Sequence, residues 1–424
     1  MPPMDKHQRF DLLATYLSPE NPIRSAEFLR GRDPELETIE NELRHFRATP
    51  FIFGNRGVGK TSLARTVAQQ VTKSDREHIY VPCAPGSRML AILKEIALEL
   101  LNLAARLGDI GTLHKKIELN ISMNPGIKLS LEKKTPQLAE FENANAAVRT
   151  LKEIDSLIPD ARQTVVIIDE LEELNNEDRR DLAFLVKQAG DQEFGVRFVL
   201  VGIAENVQEL IGAHESVPRY IKEVSLDPLK PQILMDIAQS AADHLKIAIT
   251  EDILYRIAII GNGYPHFAHL IGKTILTEAI LADSESITPA VYKKGIDRAV
   301  SESIQQLKLS YETAIQRRDD IYKHLIWALA NSDIVDLRID DWIREYEELC
   351  RRMLWPAEDP TRLQSAISRL NQPEYGRIVT NTPIRYGSKE SRYRYKRFAN
   401  TLMRGHVRLQ AERDGVQLGR MIGL

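Results

Sequence analysis

Short apolar runs alternate with segments of helical periodicity through the first half of the chain. The apolar runs lie at residues 50–53, 78–83, 164–169 and 197–202, and residues 222–226 are a candidate for the last strand. Their β-branched and aromatic side chains favour buried strands. Between them, residues 61–70 and 87–105 repeat apolar side chains at helical spacing. Strands that alternate with helices predict an α/β fold in which helices cover a parallel sheet.

The second half of the chain is predominantly helical. Apolar residues keep helical spacing over residues 230–283 and 292–314, and a charged run at 316–320 indicates a domain boundary. Three further helices are predicted at residues 321–330, 339–353 and 362–370. Asp359 and Pro360 supply capping chemistry for the last of them. Alternating residues at 377–380 and 393–396 then predict a hairpin, so that the whole segment is typical of a winged helix.

An insertion ahead of the run at residues 164–169 has the periodicity of strands. Polar and apolar residues alternate over 114–123 and 127–134 around the turn Asn124-Pro125-Gly126, which predicts a β-hairpin. An isolated two-stranded hairpin is marginally stable, so this one should pack on the body or on a partner. Contact with DNA, with another subunit or with a peptide, and a purely structural role, all stay open.

Composition and length are those of an ordinary globular protein of about two to four domains. The 424 residues are 43% hydrophobic and 28% charged, with a formal net charge of −3. Cys83 and Cys350 are far apart, which argues against disulfides and thiolate metal sites and favours a reducing compartment. The N-terminus lacks a signal-peptide core and no apolar run reaches membrane-spanning length. We therefore expect a cytoplasmic protein with no membrane partner.

A glycine-rich sequence follows the first predicted strand and precedes a predicted helix. Its residues are Gly54, Asn55, Arg56, Gly57, Val58, Gly59, Lys60, Thr61 and Ser62. They match G-x-x-x-x-G-K-[ST], a loop whose backbone N–H groups bind phosphates at a helix N-terminus. Lys60 is expected to reach the β- and γ-phosphates, and the Thr61 hydroxyl to ligate Mg²⁺. This motif predicts a site for ATP and Mg²⁺.

Two acidic residues end the apolar run at residues 164–169. Asp169 would stand at the carboxyl end of a central strand, where it is placed to hold Mg²⁺. Glu170 is the candidate to polarise the attacking water. The alternative is that Glu170 is an exposed acid that begins the next turn, with ATP bound but not turned over. Together with the phosphate loop, the Asp-Glu pair predicts ATP hydrolysis.

These motifs resemble the AAA+ ATPases, and within them the branch of origin-recognition and initiator proteins. Residues 28–36, Phe-Leu-Arg-Gly-Arg-Asp-Pro-Glu-Leu, are similar to that branch's segment on the adenine side. The resemblance implies a P-loop core with a parallel sheet, a helical lid and a C-terminal winged helix. The implied domains are a helical extension at 1–26, the core at 27–228, the lid at 229–315 and the winged helix at 316–424.

The resemblance also implies roles for residues outside the two main motifs. Arg32 would lie on the adenine side, and Asn206 is the candidate for the polar first sensor. Arg219 stands where the family carries an arginine finger for the neighbouring subunit's γ-phosphate, which implies a homo-oligomer; an ion pair with Glu223 is the alternative. His266 stands where the second sensor often has arginine, and helix capping or packing is its alternative role. Slow or partner-stimulated turnover would follow.

The C-terminal segment is strongly basic. Between Gly376 and Arg413, ten Lys or Arg residues face only two Glu residues, a balance that suits contact with phosphates. A winged helix would place its third helix in the major groove and its hairpin beside it. The candidate DNA contacts are Arg362, Arg369, Lys389, Arg392, Arg394 and Lys396. A protein-docking module or an internal clamp is the alternative.

Three classes of function fit these features. The first is an ATP-switched, DNA-binding ATPase of the initiator, loader or transposition-regulator type. The second is a signalling or defence switch like the STAND ATPases, in which the winged helix folds back on the nucleotide. The third is an adaptor that binds ATP without useful turnover and holds a partner protein. Salt-dependent DNA binding separates the first from the others.

Overall fold

The structure is a computed structural model of the 424-residue chain. It describes residues 5–23, 25, 27–107, 127–129, 136–138, 140–203, 217–382 and 395–419. The chain divides into two compact units. The sheet unit comprises Pro22–Asn55 and Gly59–Asp227, and the helical unit comprises Met1–Asn21, Arg56–Val58 and Pro228–Leu424.

The helices and strands follow in chain order. In the helical unit, α1 spans Lys6–Tyr16. The sheet unit contains α2 (Asp33–Arg44), β1 (Thr49–Gly54), α3 (Lys60–Val71), β2 (Ile79–Pro82), α4 (Met89–Leu107), β3 (Ile127–Leu129), β4 (Pro136–Leu138), α5 (Ala144–Asp155), β5 (Val165–Asp169), α6 (Asn176–Asp191), β6 (Arg197–Gly202) and β7 (Ile221–Leu226). The helical unit continues with α7 (Pro231–Leu245), α8 (Glu251–Gly261), α9 (Pro265–Leu281), α10 (Pro289–Glu302), α11 (Gln305–Ile315), α12 (Asp320–Asn331), β8 (Leu337–Arg338), α13 (Ile339–Met353), α14 (Pro360–Arg369), β9 (Val379–Asn381), β10 (Tyr395–Phe398) and α15 (Met403–Arg413).

Five parallel strands form the sheet of the sheet unit, in the order β2-β5-β6-β1-β7. Every residue of β5 is buried, and so is all of β1 except its last residue. Burial on both faces explains why these two strands consist almost entirely of apolar residues. The predicted α/β class with a parallel sheet is confirmed, and each predicted strand of this sheet is present.

Alternation along the strands decides which side chains meet which helices. Phe51, Val166 and Leu200 belong to one buried cluster with side chains of α4, α5 and α6. Because neighbouring residues of a strand point to opposite faces, Ile167 and Asp169 face the other side of the sheet, where α3 contacts β5. The acidic end of β5 is therefore directed toward the helix that follows the phosphate loop.

A small two-stranded sheet lies in the insertion. β3 pairs antiparallel with β4, with Ile127 opposite Leu138. The hairpin predicted from the sequence joins residues 114–123 to 127–134, and the first of these segments lies outside the described residues. Within the described part, residues 127–129 pair with 136–138, a strand that the sequence pattern does not predict.

The helical unit begins with α1, which packs on α7 and α9. Asp5 and Gln8 form a capping box at its start, in which the Asp5 carboxylate accepts from the Gln8 backbone N–H at 2.8 Å. The Tyr16 ring stacks on His244 of α7 at 4.2 Å between centroids. These contacts attach the N-terminal helix to the helices that follow the sheet.

The C-terminal part of the helical unit has the order helix, strand, helix, helix, strand, strand, which is the order of a winged helix. Strands β8, β10 and β9 form an antiparallel sheet in that spatial order. The three predicted helices and the predicted hairpin are present, and the two-residue strand β8 is an addition to the prediction. Among the described helices, none combines the length and apolar character needed to cross a membrane.

The last helix, α15, changes the interpretation of the basic segment. It packs on α8, α10 and α12, so most of its surface is covered. Arg404 and Arg408 on this helix are only 4% and 1% exposed. Arg404 donates to the carbonyl oxygens of Asp333 at 3.1 Å and Ile334 at 2.6 Å. With Lys396, which is 7% exposed, three of the ten cations counted in the basic segment are buried, so the exposed positive charge is smaller than the sequence indicates.

Candidate active site

The phosphate loop leaves β1 at Gly54 and enters α3 at Lys60. A β-carbon at Gly54 would lie 2.4 Å from the carbonyl oxygen of Leu226, so only glycine allows β7 to approach this closely. Gly59 precedes the helix with φ +99°, a conformation that side chains with a β-carbon rarely adopt. The backbone therefore explains why glycine is present at both positions of this loop.

Lys60 lies over the loop that precedes it. Its ammonium group donates to the carbonyl oxygens of Gly54 and Asn55, each at 3.1 Å. The side chain is therefore held at the start of α3, where the helix dipole favours an anion. Ser62, which was predicted to bind phosphate, has a contact outside the loop. Its hydroxyl accepts from the backbone N–H of Ile23 at 3.1 Å. A phosphate role for Ser62 stays a prediction.

Thr61 and Asp169 meet across the interface between α3 and β5. The Thr61 hydroxyl donates to Asp169 Oδ2 at 2.7 Å, although the two residues are 108 positions apart in sequence. The other carboxylate oxygen, Oδ1, accepts from the backbone N–H of Glu170 at 2.7 Å. A hydroxyl beside a carboxylate is the type of oxygen donor set that Mg²⁺ prefers. The two residues predicted to hold Mg²⁺ are therefore together and chemically suited to it.

Glu170 has an unusual backbone conformation. Its φ is +58° and its ψ is +41°, in the left-handed region, which costs a non-glycine residue about 1–2 kcal/mol. The residue is exposed, directly beyond the buried Asp169 and before the short turn Leu171–Glu173. Strain of this kind concentrates at functional positions because the surrounding structure imposes it. The position is compatible with the predicted role of Glu170 at the attacking water.

Tyr80 is a member of this site that no motif indicates. Its phenol donates to Asp169 Oδ2 at 3.1 Å, the same oxygen that accepts from Thr61. The Arg65 guanidinium lies over the Tyr80 ring, 3.7 Å from its centroid. Burial and the Asp169 charge raise the pKa of Tyr80 to about 12, so the phenol keeps its proton at neutral pH. Tyr80 could have been predicted as part of this site only from the register between β2 and β5.

Arg32 is a buried structural residue in this arrangement. The residue is 5% exposed, and its guanidinium donates to the carbonyl oxygen of Asp227 at 2.7 Å and to the Glu35 carboxylate at 3.3 Å. Burial lowers its pKa, which Glu35 partly offsets. These contacts join the start of α2 to the chain just beyond β7. A nucleotide contact for Arg32 stays a prediction.

The remaining nucleotide-sensing candidates belong to different units or lie outside the described residues. Arg219 is exposed on the short helix Val217–Tyr220, with its guanidinium carbon 5.2 Å from the Tyr220 ring centroid. His266 belongs to the helical unit, where its Nδ1 lies 3.3 Å from the Pro19 carbonyl oxygen. Burial lowers the His266 pKa. Asn206 lies outside the described residues. The roles of all three stay predictions.

The three candidate DNA contacts that the structure describes are paired within the chain. Arg362 bonds to Asp319 at 2.7 Å and Glu358 at 2.8 Å, and Arg369 donates to the Tyr322 hydroxyl at 3.2 Å. Lys396 is 7% exposed and donates to Asn381 Oδ1. The other three candidates, Lys389, Arg392 and Arg394, lie outside the described residues.

Residues 29–201 match the family model of the AAA ATPase domain. This segment is an AAA ATPase domain. The match begins in the segment that contains Arg32 and ends at β6, so it includes the phosphate loop, Tyr80 and the Asp169–Glu170 pair. The resemblance to the AAA+ ATPases inferred from the motifs is thereby confirmed.

Solved structures resemble the chain over most of its length. A Walker-type ATPase of Pyrococcus abyssi is 16% identical, with a TM-score of 0.51 over 92% of this chain and 99% of the other. The ORC2 protein of Aeropyrum pernix, solved as ADPNP–ADP complexes, is 16% identical, with a TM-score of 0.47 over 94% and 98%. Cdc6p of Pyrobaculum aerophilum is 18% identical, with a TM-score of 0.44 over 94% and 98%. No curated protein matches the sequence significantly. At 16% identity, the likeness to the Pyrococcus abyssi protein shows the fold alone.

Proposed function

We propose that this chain is an ATP-binding and ATP-hydrolysing switch that oligomerises and engages DNA through its C-terminal winged helix. The observation that carries the ATPase part is the 2.7 Å hydrogen bond between Thr61 and Asp169. It joins the end of the phosphate loop to the acidic end of the central strand, the two groups that would hold Mg²⁺ during ATP hydrolysis. A cytoplasmic location agrees with the buried, unpaired cysteines Cys83 and Cys350.

The residues of the site would divide the chemistry among them. The loop backbone and Lys60 would bind the phosphates, with Lys60 stabilising the charge of the transferred group. Thr61 and Asp169 would hold Mg²⁺, which when bound neutralises phosphate charge. Glu170 would accept a proton from water as the water oxygen bonds to the γ-phosphorus and the bond to ADP breaks. The products are ADP and phosphate.

Replacing Lys60 by Ala is expected to weaken ATP binding roughly 10- to 150-fold. The change removes a charged hydrogen bond to phosphate, which is worth about 1.5–3 kcal/mol. Titration of a fluorescent ATP analogue with Mg²⁺ present measures the effect. Lys73→Ala is the matched control, because Lys73 follows α3 and pairs with Asp160 on the surface. Equal affinity of the Lys60 variant and the wild type would refute the proposed nucleotide site.

Oligomer formation is part of the proposal because of Arg219. An exposed arginine on the short helix Val217–Tyr220 is accessible to a second copy of the chain. In the proposed assembly it would approach the γ-phosphate bound by the neighbouring copy and stabilise the charge that develops there. A site that needs this contribution hydrolyses ATP slowly as a monomer and faster when assembled.

DNA engagement rests on the charge of the C-terminal hairpin. Arg392 and Arg394 precede β10 in the sequence, and a basic segment of this kind suits contact with backbone phosphates. Fluorescence anisotropy of a labelled duplex, measured from about 50 to 200 mM salt, tests the proposal. We expect ATP-dependent binding whose affinity falls steeply with salt.

A double replacement tests whether this hairpin contacts phosphates. Arg392→Ala with Arg394→Ala is expected to lower the slope of log affinity against log salt by about 1.8, since each phosphate contact contributes about 0.9. Lys293→Ala with Lys294→Ala is the matched control, because both lysines are exposed on α10 and the charge change is equal. The same loss of slope in both variants would show that overall charge, and not the hairpin, governs binding.

A signalling or adaptor function is the second candidate, and one observation favours it. Arg362, Arg369 and Lys396 all bond to partners within the helical unit. Cations that are paired within the chain leave less free positive charge for DNA phosphates. Absence of DNA binding with ATP, with ADP and without nucleotide would favour this function.

A further inference from the structure

Two donors on α3 and two groups on the sheet face each other at the candidate active site. Thr61 and Arg65 are four residues apart, so their side chains lie on one face of α3. Tyr80 pairs with Ile167 in the parallel register of β2 and β5. Because side chains alternate, Tyr80 stands on the same face as Ile167 and, two residues further, Asp169. The fold thus brings a phenol to the carboxylate that the phosphate loop also contacts.

The hydrogen bonds of Asp169 use both of its oxygens. Oδ1 accepts from the Glu170 backbone N–H at 2.7 Å, and Oδ2 accepts from the Thr61 hydroxyl at 2.7 Å and from the Tyr80 phenol at 3.1 Å. Asp169 is 2% exposed, so solvent does not replace a lost donor easily. Three donors from three different elements therefore determine the orientation of this carboxylate.

Tyr80 is itself held in place. It stands on the edge strand β2, where the sheet alone leaves one side open. The Arg65 guanidinium covers the ring at 3.7 Å, within the range of a cation–π contact. Arg65 thereby limits the ring to the position from which the phenol reaches Asp169.

We propose that Tyr80 is a positioning residue for Mg²⁺ binding, acting through Asp169. This inference rests on the proposed function, because it concerns the same ATP site. Groups that orient a metal ligand from behind typically change metal affinity about 10- to 100-fold when they are removed. Tyr80 contacts Asp169 and Arg65, neither of which is a predicted nucleotide contact, so its effect should depend on Mg²⁺.

Replacing Tyr80 by Phe tests this inference with the full-length protein. The probe is a fluorescent ATP analogue, whose affinity is measured in EDTA and then at increasing Mg²⁺. We expect the Mg²⁺ concentration at half-maximal effect to rise about 10-fold or more, while the affinity in EDTA changes less than about twofold. The readout is binding, so it does not depend on turnover.

Tyr292→Phe is the matched control, because Tyr292 also donates its phenol to a carboxylate, Glu412 Oε1, at 2.9 Å in the helical unit. Thermal unfolding without nucleotide shows whether either variant is damaged. An unchanged Mg²⁺ midpoint for Tyr80→Phe would overturn the inference, and so would an equal loss of affinity in EDTA and in Mg²⁺. If the wild type itself shows no Mg²⁺-dependent binding, the proposed function fails and this inference fails with it.

Discussion

Replacing Glu170 by Gln is expected to lower ATP turnover by about 10²–10⁴-fold, the usual contribution of a general base. Glutamine keeps the size of the side chain but cannot accept a proton from water. ATP binding should be retained, because Lys60, Thr61 and Asp169 keep their contacts at the phosphate loop. Phosphate release at saturating ATP, measured beside the affinity for an ATP analogue, separates the two effects.

Glu173→Gln is the matched control for this experiment. Glu173 is exposed at the end of the turn that follows Glu170, and the substitution removes the same charge. Its turnover should stay within about twofold of the wild type, since general-base chemistry requires direct reach of the water. Wild-type turnover in the Glu170 variant would assign the base to another residue. Equal losses in both variants would point to the negative potential of the turn as a whole.

Replacing Arg408 by Met is expected to destabilise the helical unit by about 3–5 kcal/mol, as when one partner of a buried charged network is removed. The Arg408 side chain is 1% exposed and forms a buried network. Its acceptors are the carbonyl oxygens of Ala330 at 2.8 Å, Ile259 at 2.7 Å and Ser332 at 3.4 Å, Asn262 Oδ1 at 3.3 Å and Asp333 Oδ1 at 2.6 Å. Methionine fills part of the volume but leaves these acceptors unpaired.

Tryptophan fluorescence in a urea titration measures this loss. The three tryptophans, Trp327, Trp342 and Trp355, all lie in the helical unit, so the signal reports that unit. Arg413→Met is the matched control on the same helix, because Arg413 is 40% exposed and pairs only with Asp414 at 3.1 Å among its recorded ion pairs. Its effect should stay below about 1 kcal/mol. A similar shift in both variants would mean that the buried network contributes little to stability.

The internal pairing of cations in the C-terminal part bears on the proposed contact with DNA. Arg362 must exchange its bonds to Asp319 and Glu358 before it can contact a phosphate. These are exposed ion pairs of low stability, so DNA could displace them at small cost. Lys396 is different, because it is buried and burial lowers its pKa. Of these two candidates, Arg362 is therefore the one better suited to contact DNA.

Local sequence was sufficient for the phosphate loop and for the strands that carry the site. The run at residues 164–169 consists of apolar β-branched residues ending in Asp169, and the structure shows β5 as a fully buried strand over Val165–Asp169. Burial on both faces imposes an apolar sequence, and the loop motif imposes glycine where the backbone approaches β7. Both constraints act on residues that are neighbours in sequence, so they can be recognised without a structure.

Contacts between segments that are distant in sequence could not be predicted in this way. Tyr80 reaches Asp169 only because β2 lies beside β5 in a particular register. Likewise, β3 pairs with Pro136–Leu138, whose short sequence has no strand periodicity. A strand order or a register is chosen among several alternatives of similar local preference, and long-range packing decides between them.

The motifs and the periodicity of the chain were enough to predict an α/β core of the AAA ATPase type. They also predicted a helical region after the core, and then three helices and a hairpin. The sequence did not predict which charged side chains are buried and which are exposed. Arg404 and Arg413 have the same side chain on the same helix, yet one is 4% exposed and the other has a 40% exposed side chain. Composition gives the number of charged residues but not which face of a helix each one occupies. Burial depends on which elements cover that face. For this protein, the tertiary structure alone separates the arginines that stabilise the fold from those that remain accessible to a partner.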